Sequence, residues 1–258
     1  MADGKRTRPF VEQRRKTILS IIQESGRASV SDLAERLSIS PLTVRRDLDW
    51  LENDGAVVRR YGEAVLPDDV EGAIFPGDPF HDQKLAIAQA AAKLVHDNDL
   101  VYINTSSTAL MVVEHIHAQG VTIVTNSMHA QELACPPGGM VLITGGEVRP
   151  PRGVLSGEFA LNNIRNVSAT ICFLGCAGIS TTAGVTSTTQ QEAMVNSLMV
   201  DQSEKFVLVC DSSKLGVAAG FTYTPLNNIS LLITDAGATD EDIQTLSDLG
   251  VQEIVRVQ

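Results

Sequence analysis

From Lys84 onward the chain alternates short apolar runs with helical segments, and that alternation limits the fold more than any other feature. The runs predict strands at Leu100–Ile103, Val121–Thr125, Met140–Ile143, Thr170–Leu174, Lys205–Cys210, Leu231–Thr234 and Glu253–Val257. Helices are predicted near 84–97, 107–118, 127–133, 157–166, 190–202 and 240–249. Parallel strands need a long crossover connection, which a helix supplies, so the alternation specifies a mainly parallel open sheet covered on both faces. A chain of 258 residues has room for one or two domains at roughly 100–200 residues each. No apolar run reaches the ~18–20 residues of a membrane span. The polar, basic segment Met1–Arg8 is not followed by the apolar core of a signal peptide. Four cysteines do not make a disulfide framework. A cytoplasmic protein in a reducing compartment, with no membrane partner, is the expectation.

The net charge of −11 argues against a polyanionic partner until its distribution is considered. Residues 1–62 carry 12 Lys and Arg against 9 Asp and Glu, a net +3. Residues 63–258 carry the remaining 8 against 22, a net −14. A basic head on an acidic body directs only the head toward nucleic acid.

The head reads as three short helices and a hairpin. Val11–Gln23 has an imperfect helical face, and Glu24–Arg27 supplies turn chemistry. A second helix runs Ser31–Leu37, with Ser31 as its expected N-cap and Asp32 close to the positive helix end. After the turn Ser38-Ile39-Ser40, Ser40 and Pro41 start a third helix, one as a cap and the other as a first residue with no N–H to waste. Val44, Leu48 and Leu51 form its buried stripe, Trp50 flanks that stripe as packing, and Asn53-Asp54-Gly55 ends the helix. Two helices joined by so short a turn form a helix-turn-helix, whose second helix lies in a major groove with its N-terminal half toward the bases. Arg45 and Arg46 lie in that half and suit guanine edges or phosphates, and Ser40 and Thr43 add hydroxyls. Arg59 and Arg60 lie on a small basic hairpin, 56–66, that would serve as a wing on the DNA backbone. The plainer account is a helical docking module whose arginines make surface ion pairs.

In the body, the informative residues follow the strands: Asn104-Thr105-Ser106-Ser107-Thr108, Thr125-Asn126-Ser127, Thr144-Gly145-Gly146, Gly175-Cys176-Ala177-Gly178 and Asp211-Ser212-Ser213-Lys214. Ligands of open α/β sheets bind outside the carboxyl ends of the strands, and helix N-termini there favour phosphate. Lys214 adds a mobile positive charge. Such loops are also rich in Ser, Thr, Asn and Gly simply because these residues turn chains and cap helices.

The run from Ser40 to Gly55 resembles the recognition-helix signature of the DeoR family of bacterial transcription regulators. Ser40, Thr43, Val44, Arg45, Arg46, Asp47, Leu48, Leu51, Glu52 and Gly55 all match its pattern. The wing departs from it, with Glu63 where the family has a second glycine; an acid there weakens a phosphate contact. The body resembles the family's effector domain, whose fold is similar to sugar-phosphate isomerases. Lys84-x-x-Ile87-Ala88, Val124–Ser127, Gly145-Gly146, Ser156-Gly157, Phe173-x-Gly175, Glu192-Ala193 and Asp211–Lys214 stand in the family's order. The resemblance implies that Ser106, Ser107, Thr108, Thr125, Asn126, Gly145, Gly146 and Lys214 surround a phosphorylated sugar or related metabolite, with Glu192 as a further hydrogen-bonding group. Asn104 replaces a family Asp, Ser106 a Gly, and Thr170 an acid, which points to a ligand other than a common sugar phosphate.

The expected organisation is α/β: a winged helix-turn-helix domain at 1–65, a Pro- and Gly-containing linker at 66–83, and an effector-sensing and oligomerisation domain at 84–258. The expected partners are double-stranded operator DNA, a phosphorylated effector, and further copies of the chain so that paired half-sites are read. The resemblance implies a repressor. No cofactor, metal or catalytic residue is expected. The cysteines read as free buried thiols, and His115 and His117, one residue apart, as solvated side chains rather than metal ligands. The rival class is a sugar-phosphate isomerase with an accessory head, for which Glu192, Asp211 and Lys214 are the available acid–base groups. A ligand-independent DNA binder is a third.

Overall fold

The computed structural model describes residues 7–25, 27–53, 57–60, 63–65, 80–149 and 153–258. The chain divides into two compact units, Met1–Pro79 and Phe80–Gln258. Gly55, Tyr61, Gly62 and residues 66–79 of the expected linker lie outside the described residues.

The first unit is built from α1 (Thr7–Ser25), β1 (Arg27–Ser29), α2 (Val30–Leu37), α3 (Pro41–Asn53), β2 (Val58–Arg60) and β3 (Glu63–Val65). Ile18 and Ile22 of α1, Leu33 of α2, and Val44, Leu48 and Leu51 of α3 share one apolar core with Val57 and Ala64. The cap of α2 is Ser29 rather than Ser31: Ser29 is extended and its Oγ accepts the Asp32 N–H at 3.1 Å. Ser31 hydrogen-bonds the Ser29 hydroxyl instead, at 2.8 Å. The hairpin is also one strand larger than expected. Arg27–Ser29 pairs antiparallel with β3, giving the order β1-β3-β2. Glu24 and Ser25 continue α1, so the expected turn there is shorter than its composition suggests.

Asp47 ties α3 to α1. Its carboxylate is 1% exposed and accepts from Arg14 Nε at 2.5 Å and Arg15 Nε at 3.1 Å. The Arg15 guanidinium also lies 4.2 Å from the centre of the Trp50 ring, which is 44% exposed. Trp50 therefore packs as expected, but against a cation at the surface and not in the core.

The second unit opens with α4 (His81–Ala92), three residues earlier than the sequence pattern indicated, with Asp82 in its first turn. Then come β4 (Leu100–Ile103), α5 (Ser107–Glu114), β5 (Thr122–Thr125), the 3₁₀ turn Met128–Glu132, β6 (Met140–Ile143), β7 (Glu147–Arg149), β8 (Val154–Ser156) and α6 (Gly157–Arg165). They are followed by β9 (Ile171–Leu174), β10 (Gly178–Ser180), β11 (Gly184–Ser187), α7 (Gln190–Asp201), β12 (Phe206–Val209), the turn Ser212–Lys214, β13 (Phe221–Thr224), the turn Leu226–Asn228, β14 (Leu231–Asp235), α8 (Asp240–Asp248) and β15 (Ile254–Val257). Seven strands form one sheet in the order β15-β14-β12-β9-β4-β5-β6, every pair parallel. All seven strands predicted from apolar runs are these seven. Two small antiparallel additions, β7–β8 and β10-β11-β13, have no counterpart among the predicted strands.

Side chains alternate across the sheet. Tyr102, Cys172, Leu174 and Leu208 join Leu161 and Ile164 of α6 and Val195 and Met199 of α7 in one cluster. Their neighbours Val101, Ile103, Phe173, Val207 and Val209 are buried on the opposite face, and α4 packs against β12, β14 and β15. The Tyr102 hydroxyl is anchored on the carbonyls of Ile164 and Val167, both at 3.0 Å, and burial pushes its ionisation well up. From β4 the chain proceeds outward through β5 and β6. It then returns to β9 on the other side and proceeds through β12, β14 and β15. The winding therefore reverses between β4 and β9.

Among the described residues of the first unit Asp47 is the one buried carboxylate, while its arginine partners keep 16% and 20% of their side chains exposed. Rehydration of those arginines keeps the cost of losing Asp47 below the ~3–5 kcal/mol of a fully buried pair. Asp47→Ala should destabilise the N-terminal unit by about 1–3 kcal/mol. Urea denaturation followed by fluorescence of Trp50, the single tryptophan, checks this.

Candidate nucleic-acid interface and ligand cleft

α3 begins as its sequence indicates. Ser40 Oγ accepts the Thr43 N–H at 3.2 Å, and the two hydroxyls are 2.9 Å apart. Ser40 thus caps the helix, and its hydroxyl and that of Thr43 bond each other. Pro41 is exposed at the start of α3, and Arg45 and Arg46 are exposed on the side away from Val44, Asp47, Leu48 and Leu51. The turn into α3 depends on Ser38, whose φ of 51° is left-handed and whose N–H returns to Glu35 O at 3.1 Å. Arg59 and Arg60 lie on β2, in register with Ala64 and Glu63 of β3.

In the second unit the loops after β4 and β9 leave the sheet in divergent directions at the reversal point, where open α/β sheets place their crevice. Asn104 binds these loops together. Its Nδ2 donates to Gly175 O at 3.0 Å and to Asn196 Oδ1 at 3.2 Å. Its Oδ1 accepts from Gly175 N at 3.1 Å and Ser106 N at 3.2 Å. Asn196, on α7, passes the link to Ser187 Oγ at 3.0 Å. The Ser106 side chain occupies the space a Cβ would need at Gly175, so the serine here and the glycine there fit as a pair.

Beside this clamp lies a buried cation. Lys84, on α4, is 7% exposed. Its Nζ donates to Ser107 Oγ at 3.2 Å, at the N-terminus of α5, and lies 4.0 Å from Asp211 Oδ2. Asp211 caps the turn Ser212–Lys214, accepting from Ser213 N at 3.1 Å and from the Ser213 hydroxyl. Asp235, at the end of β14, accepts from Ser212 N at 2.6 Å and Ser212 Oγ at 3.0 Å. Lys214 is half-buried at the end of that turn.

A second group gathers around the loops after β5 and β6. Thr125 and Asn126 are buried, as is Thr108 in α5. Asn126 Nδ2 donates to Leu155 O at 3.2 Å. Asn126 Oδ1 and Ser156 Oγ are buried with no hydrogen-bond partner among the described residues. A buried polar atom left unpaired costs about 1–3 kcal/mol; Asn126 Oδ1 can only accept and so suits a hydroxyl donor, while the Ser156 hydroxyl can donate or accept. Gly145 and Gly146 both have positive φ, 68° and 111°. A side chain at Gly146 would run into the Ser156 carbonyl and Ala160, so that glycine serves packing, while the space beside Gly145 is open.

Of the residues expected to line a cleft, Ser106 and Ser107 stand with Lys84 and Asn104. Asn126, Gly145 and Gly146 stand with Ser156. Thr108 and Thr125 are buried, as Asn126 and Ser156 are. Glu192 is 8% exposed and accepts from Thr188 Oγ1 at 3.0 Å. Thr170 hydrogen-bonds Asp99 Oδ1 at 3.0 Å, at the opposite end of β9 from the cleft loops. Two sequence expectations need correction. Cys135 is exposed, not buried. His115 is half-buried rather than solvated, with Nε2 unpaired among the described residues. Among the described residues no group of three His, Cys, Asp or Glu side chains is placed to hold a metal ion. No described helix is long and apolar enough to cross a membrane.

Residues 14–70 match the DeoR-like helix-turn-helix domain, and residues 80–236 match the DeoR C-terminal sensor domain. The chain belongs to the DeoR family. It is 32% identical over 231 residues to the HTH-type transcriptional regulator GolR of Listeria innocua, covering 88% of this chain and 91% of that protein. It is 28% identical over 253 residues to the HTH-type transcriptional repressor GlcR of Bacillus subtilis, covering 96% and 98%. The full-length sorbitol operon regulator SorC of Klebsiella pneumoniae aligns over 92% of this chain and 98% of its own, at 12% identity and a TM-score of 0.44. This DeoR-family chain is a DNA-binding transcription regulator and not the isomerase-like enzyme.

Within the DeoR sensor domain, sequence reasoning passed over Lys84 as a site residue because it lies on a helix, before the first strand. Its place in the order Lys84-x-x-Ile87-Ala88 was the available signal. Asn104 was read as a lost carboxylate, but the structure gives it work that a carboxylate cannot do. An ionised Asp has no N–H to give, and Gly175 O and Asn196 Oδ1 would both oppose it. Turning the Asn196 amide would relieve one conflict and leave the Gly175 carbonyl opposed. Asn104→Asp should therefore lower stability by about 1–3 kcal/mol at pH 7. A protonated carboxyl regains one donor, so folding would raise this group above its unfolded value of about 3.9. Stability it supplies is lost as pH rises through the folded value, so thermal melts should show a smaller deficit at pH 5 than at pH 7.

Proposed function

We propose that this protein represses a carbohydrate or related metabolic operon, and that a phosphorylated, sugar-like metabolite in the sensor cleft changes its affinity for the operator. In this reading residues 1–65 are a winged DNA-binding domain, 66–83 a linker, and 84–258 the sensing and oligomerisation domain, working in the cytoplasm. The observation that carries the DNA-binding half is the two-sidedness of α3. Its inner face is pinned by Val44, Leu48, Leu51 and the Asp47 ion pairs, and Arg45 and Arg46 project from the other. Ser40, Pro41 and Thr43 would meet the backbone at the start of the helix, with Arg59 and Arg60 on the wing.

Support for the sensing half comes from the cation Lys84 at the N-terminus of α5 and from the unpaired Asn126 Oδ1 and Ser156 Oγ. A phosphate suits the first group, because a helix N-terminus and an ammonium both favour negative charge. Hydroxyls suit the second. Ser106, Ser107, Thr108, Thr125, Asn126, Gly145, Gly146, Glu192 and Lys214 are assigned to this cleft, with Lys84 added to them. Release from DNA requires the ligand to bind the DNA-free arrangement more tightly. Two copies of the chain would place two heads on half-sites about 34–36 Å apart.

Fluorescence anisotropy with duplexes from the protein's own promoter tests the DNA reading. Arg45→Ala and Arg46→Ala should each weaken operator binding by about 1–3 kcal/mol if each reads a base, and wild-type affinity in both would reject it. Calorimetry with a panel of sugar phosphates tests the cleft. One member should bind and release operator DNA, and Lys214→Ala should weaken that binding several-fold without affecting DNA affinity in its absence. Uniform absence of binding would reject the sensor.

A further inference from the structure

All four cysteines are free thiols, in four different settings. Cys135 is exposed, between the turn Met128–Glu132 and β6. Cys172 is buried within β9 beside Ser203, and burial pushes its thiol up to about 12. Cys176 and Cys210 stand apart because they face each other. β9 and β12 are parallel neighbours, with Cys172 opposite Phe206 and Leu174 opposite Leu208. Continued two residues past Leu174 and Leu208, that register brings Cys176 beside Cys210 on the same face, and a Cβ at Gly175 would lie 3.4 Å from the Val209 carbonyl oxygen. Cys210 belongs to the buried cluster on that face of the sheet, and Cys176 packs against the same cluster.

Adjacent strands lie about 4.7–4.9 Å apart, inside the roughly 4.4–6.8 Å Cα separation that a disulfide spans. Access is asymmetric: Cys210 is 2% exposed, whereas Cys176 is half-buried. Tyr223 closes the inner side, its hydroxyl donating to Gly175 O at 3.2 Å. The contact with Cys176, burial and the nearby Asp211 hold the Cys210 thiol well up, with Lys214 opposing. Cys210 is therefore a poor first point of attack and a well-placed second one.

We propose that Cys176 and Cys210 are an oxidisable pair that a peroxide converts to a disulfide, tying the loop after β9 to the loop after β12. The Cys176 sulfur attacks the O–O bond of the peroxide, becoming a sulfenic acid as one water leaves. The Cys210 sulfur then displaces the sulfenic oxygen, which leaves as a second water with the Cys210 proton. The two thiols lose two electrons, and hydrogen peroxide is reduced to two waters. The second step is intramolecular between neighbouring groups, which favours it over further oxidation of Cys176.

The bond would join two segments of the cleft. Cys176 follows Gly175, which Asn104 holds at both its N–H and its carbonyl. Cys210 precedes Asp211, which caps the turn to Lys214 and faces Lys84. Oxidation thus stiffens the Asp211–Lys214 turn. Any effect on a bound metabolite rests on the sensor reading above; the test below uses no ligand, so the two can fail separately.

The intact chain is treated with hydrogen peroxide, its remaining thiols are alkylated, and unreduced peptides are mapped by mass spectrometry. The expected product is a Cys176–Cys210 linked pair, two hydrogen atoms lighter than the reduced peptides and reversed by dithiothreitol. It should persist in Cys135→Ser and vanish in Cys176→Ser and Cys210→Ser. Hydrogen exchange over residues 211–215 should slow on oxidation of the wild type and not of Cys176→Ser. Sulfinic acid at Cys176 with Cys210 still open to alkylation would overturn the pairing. A linked pair with unchanged exchange at 211–215 would overturn the clamp.

Discussion

Seven strands running the same way leave all their carboxyl ends along one edge, and the rest of the sensor domain is arranged by that fact. The winding reverses between β4 and β9, so two adjacent loops part company there. A backbone that diverges in this way leaves N–H and C=O groups with no ladder to join, and buried groups of that kind must find partners. The Asn104 amide supplies them. One side chain satisfies the N–H and carbonyl of Gly175 and the N–H of Ser106, and it reaches α7 through Asn196. Only an amide can both donate and accept in this way, so an amide rather than a carboxylate at this position is part of the packing.

The same edge explains why charge gathers there. Asp211 and Asp235 follow neighbouring strands and spend their oxygens on backbone and hydroxyl donors of the Ser212–Lys214 turn. Lys84 balances Asp211 from α4 and touches the first residue of α5. An ammonium, a helix N-terminus and small hydroxyl side chains lie together in a domain whose overall charge is strongly negative. An anionic ligand would meet favourable potential only at such a spot.

In the DNA-binding unit a different interaction has the organising part. Asp47 lies on the buried side of α3 and holds two arginines of α1, one of which covers Trp50. Those arginines serve structure. Arg45 and Arg46, two and one residues earlier on the same helix, are turned outward. Helical geometry separates the two roles, because adjacent positions differ by about 100° around the axis.

Much of this was legible in the chain itself. Ser40-Pro41, the stripe Val44–Leu48–Leu51 and the seven apolar runs are local signals, carried by caps and by periods of about two or 3.6 residues. Local signals marked the seven strands of the main sheet and the helices between them, and the alternation indicated that the sheet is parallel. What they could not fix were contacts between distant residues. Asn104 meets Gly175 and Asn196 across separations of 71 and 92 residues, and Lys84 meets Ser107 across 23. β1 acquires its strand identity only by pairing with β3, and β11 acquires its own between β10 and β13. Even the cap of α2 fell to Ser29 rather than Ser31, because β1 holds the chain extended up to that residue. Residue type decided what each side chain can donate, accept or bury; the crossing of the chain over itself decided which neighbours it serves.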